Sequence, residues 1–142
     1  MAQELHNHFK ELLTEPTPNR EDAIAKRTRH IPSIITREQN LALLREVSLE
    51  EVEVAVMHLP RIKAPGPDGF TAEFFKAAWN FMGQDITDVV EESRRHRKIY
   101  PALNATFLTL ILKQKQADTP VGFHPISLCN VIYKILSMIM VN

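Results

Sequence analysis

Apolar positions change their spacing along the chain, and the changes separate a helical majority from a short β segment. Gln3–Leu13 places Leu5, Phe9, Leu12 and Leu13 on one helical face. Thr14–Asn19 interrupts this with two prolines. Residues 20–35 are charged and then carry Ile31-Pro32 and Ile34-Ile35 without a clear period, so an irregular packed arm is expected. Thr36 with Gln39, and Ser48 with Glu51, have the spacing of capping boxes and predict two helix starts. Val47 and Val52 occupy the staple positions of the second. Leu49, Val52, Val56 and Leu59 form its stripe, and Pro60 ends it. Thr71 predicts another N-cap, ahead of Phe74, Phe75, Ala78, Trp79 and Met82, with Phe70 and Phe75 as a staple. Gly83 is expected to close that helix and Asp85 to open a further one through Ile86, Val89 and Val90. The cations Arg94-Arg95-His96-Arg97-Lys98 suit its negative dipole end.

From Thr106 the texture changes. Thr106–Leu112 is rich in β-formers and predicts a mostly buried strand. Phe123–Leu128 predicts a second, confined by Pro125 to an edge. The two are expected to pair as a hairpin with a polar tip over residues 113–120. Asn130–Asn142 then predicts an apolar helix with Val131, Ile132, Ile135, Leu136, Ile139 and Met140 in register. The expected fold class is α+β, mainly α-helical with one short antiparallel β-hairpin.

Between the helices ending at Pro60 and opening at Thr71 lies Lys63-Ala-Pro-Gly-Pro-Asp-Gly-Phe70. Its prolines fix φ and push Ala64 and Gly66 out of the helical region. Gly66 and Gly69 can take positive φ, and Pro67-Asp68-Gly69 is turn chemistry. Such a loop has a shape of its own, unlike a flexible linker. With Lys63 at one edge and backbone N–H groups nearby, it can meet a polar partner.

Composition narrows the classes. The 142 residues suit one core, and 44% hydrophobic with 24% charged residues is ordinary for a globular chain. Lys and Arg balance Asp and Glu at 17 each, but residues 61–142 hold 10 cations against 7 anions. That is a modest bias toward an anionic partner. The single cysteine, Cys129, excludes an intrachain disulfide. The start lacks a secretory pattern and no apolar run is long enough to span a bilayer, so an intracellular setting without a membrane is expected. The histidines share no metal-ligand spacing, and Glu50-Glu51 and Glu91-Glu92 are adjacent pairs most simply solvated.

Four stretches occur in order: Lys63–Phe70 running into Glu73-Phe-Phe75 and Trp79, Leu103–Ile111, Gly122–Val131, and Tyr133-Lys-Ile135. Together the chain resembles the start of the reverse transcriptase domain of non-LTR (LINE-type) retrotransposons in the form common in plant genomes. Residues 1–47 resemble the linker preceding that domain, and residues 48–142 its N-terminal part. The resemblance implies the fingers portion of a right-hand polymerase, truncated before the palm. It also implies phosphate contacts of template or nucleotide at Lys63, Gly66, Lys113 and His124. Leu112 stands where the family has proline. His124 stands where the family has arginine, and it lacks the permanent guanidinium fork. Glu91-Glu92 replace apolar aromatic residues, which implies a loosened contact.

Polymerase chemistry needs carboxylates that hold two metal ions. The aspartates here are Asp22, Asp68, Asp85, Asp88 and Asp118, and none lies in the family's Tyr-x-Asp-Asp context. The expectation is therefore a fragment with no catalytic residues and no metal site, inactive alone, magnesium belonging only to the complete polymerase. Weak RNA or DNA template binding is implied, in nucleus or cytoplasm. The missing palm, or another chain, would cover the C-terminal helix. The alternative is a small helical protein-interaction module docking through that helix.

Overall fold

The computed structural model describes residues 2–14, 19–32, 34–115 and 117–141. The expected proline break over Glu15–Pro18, Gln116 of the hairpin tip and the terminal Asn142 lie outside them. The helices are α1 (Ala2–Leu13), α2 (Arg20–Thr28), α3 (Arg37–Leu43), α4 (Leu49–His58), α5 (Ala72–His96) and α6 (Val131–Val141). Strands β1 (Thr106–Leu112) and β2 (Phe123–Cys129) form one two-stranded hairpin. The α+β expectation holds.

The chain resolves into two compact units. One comprises the residues up to Arg45 together with Leu112–Phe123. In it, α1 packs on a 3-10 turn at Pro120–Gly122, and Phe9 is its buried side chain. Residues 20–28 form a helix where an irregular arm was expected. Acidic Glu21 and Asp22 in the first turn and Lys26 and Arg27 in the last complement the helix dipole, so charge order supplies what the apolar pattern does not. The arm is not packed either: α2 buries no residue, and Ile31, Ile34 and Ile35 are exposed. Thr36 and Gln39 complete their predicted capping box at α3.

The second unit comprises Glu46–Ile111 and His124–Asn142. Its core is built on α4. Val52 and Val56, both fully buried, meet Phe75, Trp79, Ile86 and Val90 of α5 and Val131, Ile135 and Leu136 of α6. Ser48 and Glu51 close the capping box that starts α4, and Val47 packs beside the core as the staple requires. Of Val131, Ile135 and Ile139 on α6, the first two are buried in this core and Ile139 packs partly buried against it, while Met140 and Val141 at the end of the helix are exposed.

Residues 72–96 form one helix, where two were expected. Gly83 lies in its interior. A Cβ there would sit 3.0 Å from Cε2 of the Trp79 indole, so glycine makes room for a ring rather than for a cap. The hydroxyl of Thr87 donates to the Gly83 carbonyl at 2.8 Å. The helix stops instead at Arg97, which adopts the left-handed conformation (φ 50°, ψ 34°) while Lys98 N–H donates to the Ser93 carbonyl at 3.1 Å. This closure normally takes glycine. Arg97→Gly is therefore expected to stabilise the chain by about 1 kcal/mol, a rise in Tm of roughly 3 °C read by thermal unfolding.

The strands are more exposed than expected. Six of the seven residues of β1 are exposed, because this two-stranded sheet has no layer covering both faces. Pro125 is tolerated in β2, since each strand of a two-stranded sheet has an open edge. Glu91 and Glu92 are not simply solvated. The Glu91 carboxylate accepts two bonds from Arg94 (2.7 and 2.6 Å) and one from the Val47 N–H (3.3 Å), tying α5 to the start of α4. Glu92 accepts the Tyr100 hydroxyl at 2.8 Å.

The Arg94 hydrogen bonds, with the Val47 amide adding and burial opposing, hold Glu91 below the usual carboxylate range. A depressed folded pKa contributes stability above the unfolded value of about 4.3 and loses it as pH falls through the folded value. Glu91→Gln should cost about 1 kcal/mol at pH 7. Urea unfolding at neutral and strongly acidic pH should show the gap to wild type closing in acid.

Candidate nucleic-acid interface

The loop leaves α4 at Leu59 with its first residues exposed, and its centre turns inward. Gly69 N–H donates to the Gly66 carbonyl at 3.1 Å, closing a turn with Pro67 at its second position, and Gly69 takes φ 78°. The Asp68 carboxylate accepts the Phe70 N–H at 3.0 Å. Asp68 is thus spent on shaping the loop. Thr71 then caps α5 through the Phe74 N–H (3.3 Å), and the Phe70 ring lies 6.3 Å from Phe75 and 4.8 Å from Phe74. The predicted staple is present.

What the sequence did not reveal is the loop's seat. Asn130 is buried at the junction of β2 and α6, where its carbonyl accepts the Lys134 N–H at 3.2 Å. Its side-chain Oδ1 accepts the Asp68 N–H at 3.2 Å. Its Nδ2 donates to the carbonyls of Ala102 (2.9 Å) and Leu103 (3.4 Å). An amide is the side chain that offers an acceptor to one partner and donors to two others at once. Gly66 presses against the same junction. A Cβ on it would lie 2.6 Å from the Cys129 carbonyl carbon and closer still to Oδ1 and the backbone nitrogen of Asn130. One buried amide therefore joins the Lys63–Phe70 loop, the turn before β1 and the start of α6.

Gly66 is buried under Asn130 and serves close packing there. Lys63 is exposed on the outer limb of the loop, and His124 is exposed on β2 beside Pro125. In the other unit, Lys113 pairs with Gly122 through its backbone (2.9 Å), and its ammonium donates to the Val121 carbonyl at 2.7 Å. It steadies the hairpin tip. Lys76 was also missed. It donates to the carbonyls of Met57 (2.7 Å) and Leu59 (2.6 Å), satisfying the end of α4. The signal for it was a lysine at the fifth position of the helix that follows a tight loop. With Arg61 and Glu73 it lines a shallow groove beside Met57 and Ala77. Among the described residues, no helix is long and apolar enough to cross a membrane.

No protein-family profile matches the chain. Over 129 residues it is 27% identical to the Transposon TX1 uncharacterized 149 kDa protein of Xenopus laevis, covering 91% of this chain and 10% of that protein. The chain thus spans about a tenth of that relative's length, and the likeness supports a retrotransposon origin for the sequence.

Proposed function

We propose that the chain is the N-terminal fingers part of the reverse transcriptase of a plant-type non-LTR retrotransposon, a template-facing element that does not polymerise by itself. One observation carries the reading. Three of the stretches on which the resemblance rests are far apart in sequence and meet, through Gly66, Leu103 and Asn130, at one buried amide. The stretches that carry the resemblance are thus packed together as one element.

The chemistry left to the chain is electrostatic. Lys63 stands exposed on the docked loop and can meet a template phosphate as a point charge. The aspartates are otherwise engaged or dispersed: Asp68 shapes the loop, while Asp85 and Asp88 lie on the exposed side of α5. Primer extension on an RNA template with magnesium is expected to yield no DNA, and robust synthesis by the purified chain would contradict the reading. Titration with single-stranded RNA should show weak, salt-sensitive binding. Lys63→Ala should lower the slope of log affinity against log salt by about 0.7, the loss of one phosphate contact.

A further inference from the structure

The outward side of α5 has a character that the nucleic-acid reading leaves unused. Phe74, Ala77, Phe81, Asp85, Asp88 and Glu92 follow one another at intervals of three or four, so they share one helix face, and all are exposed. The upper half is aromatic. Phe81 is 75% exposed and Phe74 39%, and Phe70, 46% exposed, stacks on Phe74. The lower half is acidic. No lysine or arginine occurs between Lys76 and Arg94, and the Lys76 ammonium is turned onto the end of α4.

Phe81 is an open ring on a well-packed helix, two turns along the same face from the Phe70–Phe74 pair, and the three give that face its apolar character. The acids beside it decide the kind of partner. A polyanion is repelled by Asp85, Asp88 and Glu92, which disfavours nucleic acid on the stretch of this face that precedes Arg95, even where aromatic rings could stack with bases. We infer that the Phe74–Phe81–Asp88 face of α5 docks a cationic amphipathic helix of a protein partner, whose apolar side covers the rings and whose lysines or arginines meet the acids. It is independent of the loop at Lys63 and of any polymerase activity.

The test uses the intact chain and a designed helical peptide of leucine and lysine in amphipathic register. A glutamate-for-lysine analogue and a single-stranded oligonucleotide serve as competitors. Calorimetric titration is expected to show binding of the lysine peptide alone, weakening as salt is raised. Phe81→Ala, at a position too exposed to disturb the fold, should weaken it about 10-fold. Asp85→Asn with Asp88→Asn should weaken it several-fold and flatten the salt dependence. Unchanged affinity in Phe81→Ala, equal binding of the glutamate peptide, or displacement by the oligonucleotide would overturn the inference.

Discussion

Asn130→Ala is expected to destabilise the second unit by about 2 kcal/mol, because it removes the buried side chain that holds the Asp68 N–H and the Ala102 and Leu103 carbonyls at a part-buried junction. Asn130→Asp separates two explanations of the same residue. Position 130 precedes α6 and its carbonyl accepts the first helical bond, and at a simple N-cap aspartate serves as well as asparagine. Here a carboxylate could still accept from Asp68 but would face two carbonyl oxygens with no proton to offer. Asn130→Asp should therefore cost at least as much as alanine. Chemical denaturation of the three proteins reads the difference directly, and an aspartate variant as stable as wild type would reduce Asn130 to a cap.

Gly66→Ala is expected to be the most damaging single-methyl change in the chain, at about 2–4 kcal/mol. The added carbon would meet main-chain atoms of Cys129 and Asn130, and no rotamer change can move a backbone. The loop must lift, taking the Asp68–Asn130 bond with it. Gly69→Ala differs in kind. It has open space around its Cβ and suffers only from φ 78°, so its cost should be about 1 kcal/mol. Limited proteolysis should show new cleavage within residues 63–70 in Gly66→Ala, ahead of loss of the α4–α5–α6 core.

How much of this was legible depends on how local its cause is. The capping boxes at Thr36 and Ser48 and the Thr71 cap depend on residues three apart, and all are found as the sequence indicates. The hairpin is legible for the same reason, since its β-formers lie on either side of one connector. Gly83 misled because Gly83-Gln84-Asp85 has the chemistry of a stop followed by a start. The indole of Trp79 claims the space of the missing side chain and the helix continues. The Ile31–Ile35 apolar run misled because composition does not say whether a neighbour exists to bury it. Asn130 was unreadable in a stricter sense. It looks like one polar residue between Cys129 and Val131, and its hydrogen-bond partner Asp68 lies 62 residues away. Of the expected phosphate contacts, Lys63 and His124 are exposed, Lys113 is engaged at the hairpin tip, and Gly66 belongs to the joint.

The distinction between a connector and a docked element decides what the Lys63–Phe70 loop can do. A loose connector would carry Lys63 in many positions, and ordering it on a ligand would cost entropy at every binding event. A loop seated on Asn130 presents Lys63 from a fixed base. Amide hydrogen exchange at Asp68 in the unmodified protein tests this most directly. The account predicts protection approaching that of the core amides of α4, because the Asp68 N–H is held by a buried side chain. Exchange at the rate of a free loop amide would contradict it, and with it the joint on which the proposed function rests.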